Sequence, residues 1–192
     1  MPSAATKTRQ AGVTLIEVLI AVVVLAIGLL GLAGLQTSAL TNTSISYQYT
    51  QAAILAQGMA ERMRANRSAV VSSASPYALA ANGTPPVSKN CNAAACTSAE
   101  LAAWDLATWY ATINPSYDPN STNTNIPKGP RGLLPGGKAS VVCSDASCTP
   151  TSIWMITIYW DADRSQRTGY GCDPSSSTDL RCFRLAYRPG SS

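Results

Sequence analysis

The chain has no histidine among its 192 residues. That excludes a Ser-His-Asp triad and a Cys-His nucleophile, and it leaves any zinc site without a nitrogen ligand of the usual kind. Charge is also scarce. Asp, Glu, Lys and Arg make up 12% of the chain, 14 basic against 10 acidic groups for a net charge of +4. No basic cluster with interleaved aromatics occurs, so there is no nucleic-acid footprint. Phosphate loops and dinucleotide fingerprints are missing as well. The nearest approach to a metal-ligand set is Asp161 and Asp163, with Asp173 and Asp179 further along. Calcium takes oxygen ligands, but this spacing lacks a full loop of them and Arg164 sits alongside. A solvated turn after a strand is the expectation. The chain reads as a non-enzyme, with no cofactor and no metal.

What the chain does have is one long apolar run, Val13–Leu35. As a helix its 23 residues would span roughly 35 Å, enough to cross a bilayer. Ahead of it lie polar and small residues with Lys7 and Arg9 and no acids, the pattern of a basic segment held on the cytoplasmic side. A secretory signal peptide has a shorter apolar core followed by a small-residue cleavage site. Here the core is too long, and the best cleavage-like punctuation, Ala11-Gly12, precedes it. Glu17 stands just inside the run. A carboxylate there costs roughly 2.5–3.5 kcal/mol on insertion scales, so something must compensate for it.

The string Gly12, Val13, Thr14, Leu15, Ile16, Glu17 resembles the prepilin motif of the type IV pilin superfamily. In that motif a glycine and the cleavage point precede a hydrophobic residue, Thr, Leu, Ile and Glu. The resemblance implies that a prepilin peptidase removes residues 1–12 on the cytoplasmic face, cutting between Gly12 and Val13. It also implies N-methylation of the new N-terminus, Val13, where pilins usually carry Phe. For Glu17 it implies subunit docking, with the carboxylate meeting the N-terminal amine of a neighbouring subunit. A paired charge in a low dielectric is far less costly than a lone one. The alternative is a signal-anchor helix with a stray polar residue.

Loss of Lys7 and Arg9 with the leader leaves 12 basic against 10 acidic groups. Ser, Thr, Asn and Ala abound, which suits an extracytoplasmic surface. Six cysteines lie at 91, 96, 143, 148, 172 and 182. An even count in an exported domain implies disulfides, although six cysteines allow fifteen connectivities. Proximity favours Cys91–Cys96, Cys143–Cys148 and Cys172–Cys182, each closing a short loop and contributing roughly 2–3 kcal/mol. A zinc site from the first four cysteines is the weaker alternative, because four-residue spacers are loose for zinc.

Helical character continues beyond the apolar run. Ile45, Tyr49, Ala52, Ala56, Met59 and Met63 step by threes and fours, one apolar stripe of an amphipathic helix. A single helix from about 14 to 66 is expected, with Arg62, Arg64 and Arg67 near its C-terminus, where cations are favoured. Gly28, Gly31 and Gly34 are expected to soften the anchor, since each costs roughly 1 kcal/mol against Ala; a small-residue packing face is the alternative. Residues 67–97 read as loop. Thr97 and Glu100 form a capping-box pattern for a short helix with Leu101, Trp104, Thr108 and Ala111 on one face, ending before Pro115. Trp104 and Trp109 are expected to pack on a sheet. Residues 114–137 read as loop again.

Three strands follow: Lys138–Cys143, Ile153–Trp160 and Leu180–Arg188. Ser144–Ser147 would turn between the first cysteines of this region as a short hairpin does. The middle strand has apolar residues on both faces, which marks it as central. The last alternates Phe183, Leu185 and Tyr187 with Arg184 and Arg188, the mark of a sheet with one solvated face.

The expected fold is therefore α+β and type IV pilin-like. A long N-terminal helix, its apolar half membrane-spanning, packs on an antiparallel β-sheet with disulfide-closed loops. The organisation is leader 1–12, transmembrane or filament-core helix 13–35, amphipathic helix 36–66 and globular domain 67–192. The strings Ala60–Asn66, Leu133–Gly137 and Ile158–Asp161 resemble the PilV-type minor pilins, the type IV pilus modification proteins. This resemblance implies a low-abundance subunit that helps initiate pilus assembly and sits in a tip complex supporting adhesion and twitching motility. The implied partners are the prepilin peptidase, other minor pilins, the major pilin and a large tip adhesin. Before assembly the chain would cross the inner membrane once, N-terminus cytoplasmic, with the globular domain facing the periplasm; afterwards it would lie in the surface pilus. A type II secretion pseudopilin and a non-polymerising membrane-anchored binding module are the alternatives.

Overall fold

The computed structural model describes residues 12, 14–86, 89–114, 116–117, 132–173 and 175–190. The leader other than Gly12, Val13, Pro115 and residues 118–131 of the expected loop lie outside the described residues.

Helix α1 runs Leu15–Ala65, close to the expected bounds, with Glu17 in its first turn and Arg62 and Arg64 in its last. It continues through Gly28, Gly31 and Gly34, where a Cβ would meet nothing within 4 Å. The chain divides into two compact units, one ending at Ser44 and one beginning at Ile45.

In the second unit α1 buries Gln48, Ala52, Ala56, Met59, Ala60 and Met63. This is the expected stripe with a correction at its start. Gln48 takes the buried position, while Tyr49 stays at the rim, edge-on to Trp160 with ring centroids 4.8 Å apart. Strands β1 (Lys138–Cys143), β2 (Trp154–Trp160) and β3 (Arg181–Tyr187) form an antiparallel sheet in the order β1-β2-β3. β2 is central, as its two apolar faces foretold. Trp154, Ile156, Ile158 and Trp160 point inward, fully buried, and share one core with Ala52, Ala56, Met59 and Met63. Each such large side chain contributes about 1.5–3 kcal/mol on burial. On the outward face Thr157 and Tyr159 are buried, and Tyr170 stacks edge-on against Tyr159 at 5.1 Å.

The β1–β2 connection is longer than a tight hairpin. Ser144 and Ile153 close it, with the Ser144 N–H donating to the Ile153 carbonyl at 2.8 Å. Cys143–Cys148 forms a small ring within this connection and does not bridge facing strands. The other sulfurs also pair as their proximity suggested, Cys91 with Cys96 and Cys172 with Cys182. With every cysteine in a disulfide, no thiolate set is left for zinc.

Two elements went unread in the loop 67–97. Helix α2 (Arg67–Val70) follows α1 directly. Leu79 then pairs with Val141 of β1, each N–H donating to the other's carbonyl at 2.8 Å. Helix α3 (Ser98–Ile113) carries the expected capping box. The Glu100 backbone N–H donates to the Thr97 hydroxyl, and the Thr97 N–H donates to the Glu100 carboxylate at 2.8 Å. That backbone bond holds the Glu100 carboxyl below its ordinary range. The buried face of α3 is rotated from the one expected. Ala102, Leu106, Trp109 and Ile113 are its innermost residues, while Leu101 and Thr108 lie at the margin. The shift follows from what α3 covers, since it packs on α2 and β1 together. Trp109 also reaches α1, where its indole N–H donates to the Leu55 carbonyl at 2.8 Å.

The string Leu133–Gly137 has a local reason. Leu134 is fully buried and Gly136 takes φ 56°, a left-handed conformation that favours glycine. At Gly137 a Cβ would lie 2.3 Å from the Ile113 carbonyl oxygen, so the turn closes on the end of α3 only without a side chain there.

Candidate functional site

The N-terminal unit is built around the start of α1. The Thr14 carbonyl accepts from the N–H groups of Glu17 and Val18 at 3.0 and 3.3 Å, which starts the helix. Glu17 thereby falls in the first turn, where the helix dipole favours an anion. Its side chain is exposed among exposed apolar neighbours: Leu15, Val18, Ala21, Val22 and Leu25. None of the most apolar stretch of α1 is buried in the single chain, and the helix is long and apolar enough to cross a membrane. Gly12 precedes the helix with open space around it and no positive φ. The local backbone therefore makes no demand for glycine there. Val13, the other half of the expected cleavage site and the expected methylation site, lies outside the described residues.

The acidic residues of the C-terminal half hold loops. Asp161 is buried and accepts from the Gln166 N–H at 2.6 Å and the Ser165 N–H at 3.2 Å. Asp163 accepts from the Ser165 hydroxyl at 2.6 Å and from Arg167 at 2.8 Å. The Ser165 hydroxyl first, and then the Arg167 guanidinium, hold the Asp163 carboxyl well below the usual carboxylate range. Asp173 caps its own turn through Ser175, which likewise lowers it. The expected solvated turn is thus a hydrogen-bonded one with Asp161 buried, its carboxylates occupied by protein donors. Among the described residues no three Asp, Glu or Cys side chains converge as a metal set would require.

Sequence reasoning missed a polar knot between the end of α1 and α3. The buried Tyr77 hydroxyl donates to Asp105 Oδ2 at 2.6 Å. Arg62 donates to Asp105 Oδ1 at 3.3 Å and to the Thr108 hydroxyl at 2.9 Å. Asn66, also buried, donates to the Ser98 carbonyl at 2.7 Å and accepts from the Ser98 hydroxyl at 2.9 Å. Burial first, and then the Asp105 carboxylate, push the Tyr77 phenol far above its ordinary value. The available signal was Asp105 itself, an acid set between Trp104 and Leu106 on a helix that is otherwise apolar there. Arg62 is therefore more than a helix-end cation. Arg64 pairs with Glu61 and lies over the Tyr187 ring at 5.9 Å, and Arg67 donates to the Gly190 carbonyl.

Two protein-family models match the chain. Residues 7–33 match the prokaryotic N-terminal methylation motif. Residues 34–107 match the Tt1218-like family, described as type IV pilin Tt1218. No curated protein and no solved structure matches. The second match begins where the first ends and closes just beyond Asp105, so it takes in Arg62, Asn66, Tyr77, Ser98 and Asp105 of the polar knot and stops one residue short of Thr108. Together the two matches run from residue 7 to residue 107 without a gap.

Proposed function

We propose that this chain is a minor pilin of a type IV pilus, a low-abundance subunit that helps initiate the filament and sits in a tip complex supporting adhesion and twitching motility. A prepilin peptidase cuts between Gly12 and Val13, and Val13 is then N-methylated. Residues 13–35 hold the subunit in the inner membrane, N-terminus cytoplasmic, and later enter the filament core. Residues 36–66 carry the globular domain 67–192, which faces the periplasm until assembly brings it to the cell surface. Other minor pilins, the major pilin and a large tip adhesin are its partners.

The observation that carries this reading is an exposed, membrane-grade helix start with one carboxylate, Glu17, in its first turn. Gly12 supports it further, because its surroundings in the fold leave room for a side chain. A small residue there would let a peptidase approach the backbone closely. Glu17 then docks on the terminal amine of a neighbouring subunit, where pairing offsets the cost of a carboxylate in an apolar setting.

The experiment is mass spectrometry of the mature N-terminus together with a Glu17→Ala variant. The expected mature chain begins at Val13 and carries one extra methyl group. An intact Met1, or a cut after Leu35, refutes the processing step. Glu17→Ala should insert into the membrane normally yet fail to enter pili, and normal incorporation overturns the docking role. Deletion of the gene, scored for surface pili and for secreted enzymes, separates the pilus from a secretion machine: lost secretion with normal pili contradicts the proposal.

A further inference from the structure

The outer edge of β3 is an open half of a β-ladder. Val141 exchanges both backbone hydrogen bonds with Leu79, so the odd-numbered residues of β1 turn their backbone groups away from β2. Lys138, Ser140 and Val142 therefore bond to Tyr159, Thr157 and Met155. Trp154, Ile156, Ile158 and Trp160 bond on the other side, to Tyr187, Leu185, Phe183 and Arg181. That leaves the N–H and C=O groups of Cys182, Arg184 and Ala186 facing outward, and none of them has a backbone partner among the described residues.

The edge is already used just before the strand begins. The Gly169 N–H donates to the Thr178 carbonyl at 2.9 Å, and the Leu180 N–H donates to the Gly169 carbonyl at 2.9 Å, a parallel bridge on this same side. The segment that makes it stays beside β3 as far as Cys172, at φ 62°, whose Cα lies 5.4 Å from that of Cys182 across their disulfide. The edge is thus covered as far as Cys182 and bare at the next two outward residues, Arg184 and Ala186. Natural sheets usually blunt such an edge.

Charge says what would fit. Arg184 and Arg188 are exposed on the outward face, Arg181 is at the start of the strand, and no acidic residue follows Asp179. None of the three arginines makes an ion pair among the described residues. A second copy of this chain pairing edge to edge would set arginines against arginines, which is unfavourable between facing strands. A strand with acidic side chains on the same face would place carboxylates beside Arg184 and Arg188 instead.

We infer that the outer edge of β3, at Arg184 and Ala186, accepts an extended acidic strand from another protein, by addition of a fourth strand to the sheet. Main-chain bonds supply the affinity and the arginines the choice of partner. Binding weakens with salt, because the arginines are exposed.

The test uses the full chain in detergent micelles and two short synthetic peptides, one alternating valine and glutamate, the other valine and lysine. Amide hydrogen exchange is followed by NMR. The glutamate peptide should slow exchange at Arg184 and Ala186 by at least tenfold and leave Phe183 and Leu185, already bonded to β2, unchanged. It should bind about tenfold more tightly than the lysine peptide, the order expected of a few exposed charge pairs. Ala186→Pro removes one outward N–H without touching the β2 ladder, as proline is tolerated on an edge, and should abolish the effect. Should that variant lose its fold, Arg184→Glu with Arg188→Glu keeps every N–H and should reverse the preference toward lysine. No alternating protection, equal binding of both peptides, or protection that appears only on self-association each overturns the proposal.

Discussion

Tyr77 offers the most quantitative check on the packing. Its ring is fully buried, and its hydroxyl donates to the Asp105 carboxylate at 2.6 Å. Tyr77→Phe deletes that bond but leaves Asp105 with Arg62. A hydrogen bond to a charged group is worth about 1.5–3 kcal/mol, so the variant should be about 2 kcal/mol less stable near neutral pH. The gap should then close in alkali. The native phenol keeps its proton far above the ordinary value of 10.0, first because it is buried and then because ionisation would set it against Asp105. An unfolded chain loses that proton near pH 10. A group whose folded pKa is raised contributes stability below its unfolded pKa and loses it as pH climbs beyond, here by about 1.4 kcal/mol per pH unit. By pH 11 the difference between the parent and Tyr77→Phe should therefore have shrunk by about 1.4 kcal/mol. Tyr187, raised chiefly by burial, adds the same slope to both proteins and cancels. Urea titrations of the full chain in detergent at pH 8 and pH 11 measure the gap, with the buried Trp104, Trp109, Trp154 and Trp160 as fluorescence reporters. All six cysteines are paired, so no free thiol starts disulfide exchange in alkali. A gap that stays constant between the two pH values refutes the account of Tyr77.

Three further outcomes follow from the packing and are read by the same unfolding assay or by exchange. Trp109→Phe keeps most of the buried ring and removes the donor to Leu55, so it should cost about 1 kcal/mol, whereas Trp109→Ala should cost about 3–5 kcal/mol. Gly137→Ala sets a methyl 2.3 Å from the Ile113 carbonyl oxygen, and an overpacking cost of about 1–3 kcal/mol is expected; amide exchange should quicken at the end of α3, and an unchanged stability contradicts the contact. A chain lacking residues 1–36 should be soluble, cooperative and fully disulfide-bonded, because the second compact unit begins at Ile45 and contains the whole shared core. Exposed thiols or a broad, non-cooperative melt in that fragment would count against it.

Legibility in the sequence tracked how local each cause is. The capping box at Thr97 and Glu100 acts over three residues and was plain. So were the bounds of α1, set by an unbroken apolar and then amphipathic period, and the central position of β2, whose side chains are apolar on both faces. The cysteine pairs were readable because each closes a short loop. The rotation of α3 was not, since its inner face depends on α2 and β1 arriving from other parts of the chain. Leu79 was lost among loop residues because a single bridge to Val141 has no period. The polar knot was hidden for the same reason: Arg62, Tyr77 and Asp105 are each ordinary in their own segment and become a set only when α1 and α3 meet. Of the candidate site, Gly12, Leu15, Ile16 and Glu17 were visible at once, because the string is contiguous and its chemistry does not depend on tertiary contact.

One feature of α1 ties the packing to the proposed role. No charged residue lies between Glu17 and Glu61. The apolar part of the helix accounts for the first half of that interval, but the polar part beyond Leu35 could have carried lysines and glutamates at no cost in water. It carries Thr, Ser, Asn and Gln. Thr37, Thr41, Thr43 and Thr50 each donate their hydroxyl to a carbonyl four residues back, at 2.8–3.1 Å. A threonine bonded in this way has satisfied its own donor, and its methyl group is what remains to meet a neighbour. Such a surface tolerates water, the polar margin of a bilayer and close packing in turn, and no ion need be desolvated at any step. A helix meant only to anchor a domain gains nothing from that neutrality. A helix that must leave a membrane and pack among others gains a great deal. In that setting the one charge kept is at Glu17, in the first turn, where the helix dipole favours it and where a partner amine would find it.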